Sequence, residues 1–263
     1  MKESKLIENI QMKLKNIQSL RKIDEGLQAN IYELPYKDFK YAIKIFKETT
    51  SLDERIGEIQ ASQQIKSKYI IVYVCHDQEQ LGWILYEKFG DFNLQKYLQF
   101  YKLENYHVNF IFTQLIEGYN DIIQSGFYHC DLKTANILVD SSTLQIQICD
   151  LGFAKQINQN IKSRRGSRGY FAPEFFQKEI INMDEKTEIY ALGVILYQLL
   201  TNEFPYTNQI NCLKWIQITK SNWKDFWKNK KVSQLYKDIL QSIFEMDPNK
   251  RCNLCYLQSI FHF

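Results

Sequence analysis

Proline and glycine are scarce, at 4 and 10 of 263 residues, and no Pro/Gly-rich linker, low-complexity tract or internal repeat divides the chain. Any two parts of this protein must therefore be joined tightly. Charge of one sign is also lacking: 33 Lys+Arg against 30 Asp+Glu leave a net +3, too little to point to nucleic acid or an acidic membrane as partner. The longest nearly apolar run, Tyr190 to Leu200, falls well short of the roughly 20 residues that cross a bilayer, and the N-terminal residues lack an uninterrupted apolar h-region. A soluble, cytoplasmic protein without a membrane span is expected. The six cysteines (Cys75, Cys130, Cys149, Cys212, Cys252, Cys255) are scattered and do not form a disulfide framework. Cys252 and Cys255 make a lone C-x-x-C without a second Cys or His pair at zinc spacing, so helix packing is favoured over metal there.

What is present is enough apolar residue, 45%, to bury a sizeable core in one large domain or two lobes. Leu6, Ile10, Leu14 and Ile17 recur at helical spacing, so residues 1–16 are expected to form a helical extension. From 17 onward the texture turns to short β-favouring pieces, Ile17–Ile23, Asn30–Leu34, Pro35–Asp38 and Tyr41–Phe46. A helix over Ser51–Lys66 follows, with Ser51 as N-cap and Asp53 and Glu54 in its first turn. Strands over Tyr69–Cys75 and Trp83–Glu87 complete the first third. Beyond Asn93 the pattern is helical: Leu94–Tyr101, Tyr106–Ser125, Glu188–Leu200, Leu213–Ile218 and Ser233–Met246. A small sheet followed by a helical mass predicts two lobes meeting near Glu87–Phe92, with a crevice between them.

One stretch concentrates polar chemistry: His129-Cys130-Asp131-Leu132-Lys133-Thr134-Ala135-Asn136 places a carboxylate, an amine and an amide within six residues. Asp150-Leu151-Gly152 and Ala172-Pro173-Glu174 follow in order. Upstream, Ala42-Ile43-Lys44 puts a lysine in an apolar strand, where it is costly unless paired, and Glu58 in the next helix is placed to be its partner.

Taken together these residues resemble the eukaryotic protein kinases of the serine/threonine type, whose patterns are V-A-I-K, H-R-D-L-x-x-x-N, D-F-G and A-P-E. The resemblance covers about residues 17–263. It implies an α+β bilobal fold, with a small antiparallel-sheet N-lobe carrying one main helix (about 17–87) and a larger, mainly helical C-lobe (about 88–263). It further implies ATP and Mg²⁺ as cofactors and a protein bearing Ser or Thr hydroxyls as partner. Oligomeric state is not readable.

By the resemblance, Asp131 orients the substrate hydroxyl and accepts its proton, and Lys133 stabilises the transferred phosphoryl group. Asn136 and Asp150 hold Mg²⁺, a hard cation that prefers oxygen ligands. Lys44, paired with Glu58, binds the α/β-phosphates. Gly26, Ile31, Ala42 and Leu138 belong to the nucleotide site, Tyr86 narrows it from behind, Glu87 and Phe89 offer backbone groups to the base, and Cys149 lines the pocket. Glu174 and Arg251 match a buried structural ion pair. Lys133 and Ser167 point to the serine/threonine class.

Several positions depart from the family pattern. The glycine-rich loop reads Asp24-Glu25-Gly26-Leu27-Gln28-Ala29, retaining the central glycine alone. Cys130 stands where regulated kinases carry a phosphate-gripping arginine, so only modest dependence on phosphorylation of Ser163 is expected, with Lys155 as a possible contact. Leu151 replaces a phenylalanine, and Glu188 stands in for an anchoring aspartate. Ser62, one turn after Glu58, replaces an apolar support and predicts a helix that swings more easily. Asn93 and Ala135, with Arg164, Arg165 and Arg168 nearby, argue against a basic substrate consensus, although solvated charge is the plainer reading of the arginines. An active kinase is the leading expectation; a pseudokinase serving as a nucleotide-binding or scaffold module is the alternative, and a small-molecule kinase a distant third.

Overall fold

The computed structural model describes residues 2–158, 166–177, 183–206, 227 and 230–262. A five-stranded antiparallel sheet, in the order β1-β2-β3-β5-β4, is built from β1 (Arg21–Glu25), β2 (Ala29–Tyr36), β3 (Phe39–Phe46), β4 (Tyr73–His76) and β5 (Trp83–Glu87). Alternation along β3 sends Ile43 to one face and Ala42 and Lys44 to the other, the period of a pleated strand. The register places Ala42 opposite Tyr86 and Lys44 opposite Ile84.

Each face of this sheet receives one helix. α1 (Lys2–Leu14) lays Leu6 and Ile10 on Leu34, Ile43, Trp83 and Leu85, closing the outer face. α2 (Leu52–Gln64) packs on the inner face, where Ile59 meets Ala29, Phe46, Ile84 and Tyr86. Its start is fixed by a reciprocal capping box in which Ser51 Oγ accepts from Glu54 N–H and the Glu54 carboxylate accepts from Ser51 N–H.

The second lobe surrounds α4 (Asn105–Gln124) and α6 (Glu185–Thr201), which are joined by α3 (Leu94–Phe100), α5 (Glu174–Gln177), α7 (Gln234–Ile243) and α8 (Leu254–Ile260). α6 is buried nearly all round, from Ile189 to Leu199, as a central helix must be. It starts at Glu185, ahead of the expected Glu188, because Asp184 caps it by accepting from Thr187 N–H at 2.9 Å. Five short strands thread this lobe. β6 (Phe92–Asn93), β8 (Ile137–Val139) and β9 (Ile146–Ile148) form one small sheet, and β7 (Phe127–Tyr128) pairs with β10 (Lys155–Gln156).

Three strand expectations need correction. Ile17–Ser19 is a 3₁₀ turn closed by the Ser19 N–H and hydroxyl on Asn16 O, so β1 starts later, at Arg21. Pro35 belongs to β2, and the chain reverses at Lys37, whose φ of 54° lies in the left-handed region, leaving no separate piece over Pro35–Asp38. Residues 69–71 do not join β4: Tyr69 O and Ile71 N–H bond instead to the backbone of Ile148, tying the small lobe to β9. The helix expected over Leu213–Ile218 lies outside the described residues, as do Cys212, Ser163, Arg164 and Arg165. Among the described residues no helix is long and apolar enough to cross a membrane. Cys130, Cys149, Cys252 and Cys255 are not in disulfides.

Candidate active site

Where the sheet meets the helical lobe there is a cavity of about 600 Å³, within the usual range of small-molecule sites. Gly26, Ile31 and Ala42 form its roof, Leu138 and Cys149 lie on the other lobe, and Tyr86 closes the back. Phe89 lines it too. Glu87 does not: its side chain is exposed and its N–H is taken by Val72 O at 2.9 Å, so only its carbonyl is left to offer.

Lys44 links three elements. Its Nζ donates to Glu58 Oε1 at 2.5 Å and to Asp150 Oδ1 at 2.7 Å, crossing from β3 to α2 and to the segment after β9. An ammonium buried without partners would lose its proton. Desolvation does act on Lys44, but the two carboxylates outweigh it and hold its pKa well above the ordinary value. Burial likewise pushes Asp150 up, yet the Lys44 charge and hydrogen bond win and bring it down to about 2. For Glu58, burial wins and its pKa is raised. Two carboxylates thus compete for one ammonium, and the geometry favours the ion pair, with Glu58 the costlier partner. Asp150 adopts a left-handed φ of 63°, and Gly152 follows because a Cβ there would come within 2.8 Å of Gln28 Oε1 and 3.0 Å of Glu58 Oε2.

The loop 129–136 is suspended from α6. Glu188 Oε1 accepts from Cys130 N–H at 2.6 Å and Oε2 from His129 N–H at 3.2 Å. The longer glutamate reaches both amides, and these bonds hold Cys130 at a left-handed φ of 64°. The buried His129 ring bridges onward: Nδ1 accepts from Asp131 N–H at 3.2 Å while Nε2 donates to Cys149 O at 3.1 Å. Burial lowers its pKa, which keeps the ring neutral and preserves this bridge. Burial also pushes the Cys130 and Cys149 thiols up, so neither is a thiolate.

Asp131 is the end point of this scaffold. Its Oδ2 accepts from Lys133 Nζ at 2.6 Å and Asn136 Nδ2 at 3.1 Å, and Lys133 also donates to Ser167 Oγ at 3.0 Å. Its Oδ1 is buried and has no hydrogen-bond partner among the described residues. An anionic oxygen left without a donor in a buried site is costly, and such an atom suits a donor brought by a ligand. Asn136 spends both amide hydrogens on Asp131, and among the described residues neither its Oδ1 nor Asp150 Oδ2 accepts a hydrogen bond. Among the described residues no three His, Cys, Asp or Glu side chains form a metal cage. One carboxylate and one amide oxygen still fit Mg²⁺, which binds through one or two protein oxygens plus substrate phosphates and waters.

The altered glycine-rich turn is resolved in part. Gly26 N–H donates to Ala29 O at 2.9 Å, closing the β1–β2 hairpin. The Ala29 methyl is buried beside Phe46 and Tyr86 and lines the cavity with Gly26. Asp24 remains exposed at the cavity edge with Oδ1 accepting from Glu25 N–H. Two contributors were not singled out from sequence: Gln28, whose side chain reaches Gly152, and Tyr170, whose hydroxyl bridges Thr134 Oγ1 at 3.0 Å and Gln198 Oε1 at 2.8 Å. Both act across elements, where local pattern carries no signal.

Glu188 has a measurable pH signature. Burial pushes its carboxyl from an ordinary value near 4.5 up to about 7, against the opposing pull of the Cys130 and His129 amides. A carboxyl raised in the folded state contributes stability below its unfolded value and loses it as pH rises through the folded one. Wild type should therefore lose stability relative to Glu188→Gln between pH 5 and 8, by on the order of 3 kcal/mol. Denaturant unfolding of both proteins across that range checks it; parallel curves would remove the assignment.

The chain matches known proteins over nearly its whole length. The protein kinase domain model matches residues 17–262. The serine/threonine-protein kinase KIC1 of Saccharomyces cerevisiae is 24% identical over 251 residues, covering 90% of this chain and 23% of that protein. The putative serine/threonine-protein kinase R517/R518 of Acanthamoeba polyphaga mimivirus is 27% identical over 258 residues, covering 83% of this chain and 56% of that protein. The serine/threonine-protein kinase Nek9 of Xenopus laevis is 32% identical over 144 residues, covering 52% of this chain and 15% of that protein. This chain thus spans only part of the length of these relatives.

Proposed function

The chain belongs to the protein kinase family, and from that premise we propose that it transfers the γ-phosphate of ATP to serine or threonine hydroxyls of protein substrates. The observation that carries this reading is Asp131 Oδ1, a buried carboxylate oxygen without a partner among the described residues, set beside Lys133 at the edge of a cavity that also holds Lys44 and Asp150.

In this reading the substrate hydroxyl donates to Asp131 Oδ1, which fixes its lone pair toward the phosphorus and takes the proton as the new O–P bond forms. The bond from the γ-phosphorus to the β–γ bridging oxygen breaks, and ADP leaves with that electron pair. Lys133, held between Asp131 and Ser167, places its charge where the transferred group gathers negative charge. Lys44 is held by Glu58 for the α/β-phosphates. Mg²⁺, when bound through Asn136 and Asp150, supplies neutralisation of phosphate charge. The Lys133–Ser167 contact supports a serine or threonine acceptor over tyrosine.

Purified protein incubated with labelled ATP, Mg²⁺ and a generic protein substrate is expected to transfer label, and Lys44→Met and Asp131→Asn are not. Transfer no higher than these variants across several substrates would reject catalysis. It would favour the second reading, a nucleotide-binding or scaffold module with little transfer activity; the exposed Asp24 carboxylate at the cavity edge supports its scaffold form, because it repels a bound phosphate.

A further inference from the structure

The back wall of the cavity carries two hydroxyls, on Tyr86 and Ser62, to which the phosphotransfer steps above assign no part. Tyr86 OH lies 3.3 Å from Glu58 Oε1 and 2.9 Å from Ser62 Oγ, all three buried. Proton counting fixes the direction of these bonds. An ionised Glu58 only accepts, so Tyr86 donates its single proton there, and Ser62 donates to the phenol oxygen. Burial raises the Tyr86 pKa well above its ordinary value, which keeps it a donor. Glu58 and Ser62 are four apart on α2 and so share a face, and Tyr86 grips both from β5.

We propose that the Tyr86 hydroxyl and Ser62 form a clasp that positions Glu58, holding α2 in the arrangement where Glu58 meets Lys44. The serine that reads in sequence as a loosened support is, in this geometry, a second point of attachment. Ser62 is only 2% exposed and Tyr86 6%, so moving α2 outward would leave the Tyr86 and Ser62 hydroxyls without the partners they have here. One continuous path, Ser62 to Tyr86 to Glu58 to Lys44 to Asp150, joins helix position to the cavity floor. Neither hydroxyl touches the reacting atoms; Tyr86 is a positioning residue. A helix held from within also fits the absence of an arginine at Cys130, because the arrangement then needs less help from a modified segment.

The kinetic part of the test rests on the phosphotransfer reading, and an exchange measurement stands apart from it. Tyr86→Phe keeps the ring and the wall and removes the hydroxyl. It is expected to lower kcat about tenfold, with a smaller change in the KM for ATP, because fewer molecules hold Glu58 on Lys44. Adding Ser62→Ala removes the hydroxyl that Tyr86→Phe would leave unpaired, so a merely structural loss would be repaired; a positioning loss would not. A kcat within twofold of wild type in Tyr86→Phe, or recovered by the added Ser62→Ala, overturns the proposal. Hydrogen exchange of α2 amides 55–62, referenced to α4, should lose about tenfold protection in Tyr86→Phe. Unchanged protection overturns the clasp even in a protein that transfers no phosphate, and tenfold loss supports it there. Absence of transfer by wild type rejects the phosphotransfer reading alone.

Discussion

Asp131→Asn is expected to lower phosphotransfer by two to four orders of magnitude, the usual worth of a positioned general base. The substitution is nearly isosteric, so its amide oxygen can keep accepting from Lys133 and Asn136, as Oδ2 does at 2.6 and 3.1 Å. The amide nitrogen then takes the place of Oδ1, the oxygen with no partner among the described residues. A donor would face the substrate hydroxyl where an acceptor is needed. The loop should hold its shape, since its supports are Glu188 and the His129 ring rather than Oδ1. Nucleotide affinity should change little, because Lys44, Glu58 and Asp150 are untouched. Single-turnover transfer at saturating ATP, with nucleotide binding measured alongside, separates the two quantities. Transfer within tenfold of wild type would remove Asp131 from the base role.

The contrast between Asp131 and Tyr86 marks what could be read from sequence. Lys44, Asp131, Asn136 and Asp150 were legible because each sits in a short covalent pattern of fixed order, and Glu58 as the acid that the next helix offers a buried lysine; the fold brings Lys44, Glu58 and Asp150 into contact. Ser51 was legible for a similar reason, since a capping box is completed within three residues. Ser62 was not, because its meaning lies in a tyrosine 24 positions away on another element. Read alone, a serine on an apolar helix face is a weakness; opposite Tyr86 it is satisfied. The strands β6 to β10 are two or three residues long, too short for a period-two signal, and apart from the β8–β9 hairpin they exist through pairing with distant partners. Glu188 lies between these cases: its extra methylene was visible, and whether it reached two amides depended on the loop's path.

Arg251→Met should destabilise the large lobe by about 3–5 kcal/mol, the cost of removing one partner from a buried ion pair. Arg251 is 2% exposed and forms a two-pronged contact with Glu174, Nη1 to Oε1 at 2.8 Å and Nη2 to Oε2 at 2.9 Å. It also donates to the backbone carbonyls of Lys186 and Glu245, so α5, α6 and the turn after α7 meet on one guanidinium. Methionine fills much of the volume and satisfies none of these acceptors. The larger share of the loss should come from the stranded Glu174 carboxylate rather than from the missing attraction, because taking two charges out of water costs nearly as much as their pairing returns. That distinction is testable. Glu174→Leu added to Arg251→Met removes the orphan charge and should recover more than half of the lost stability, leaving the unsatisfied carbonyls as the residue of the effect. Denaturant unfolding of the two single variants and the double gives the coupling directly. If the double variant is as unstable as the sum of the singles, the pair acts independently at each end, and the stranded carboxylate is not the source of the loss.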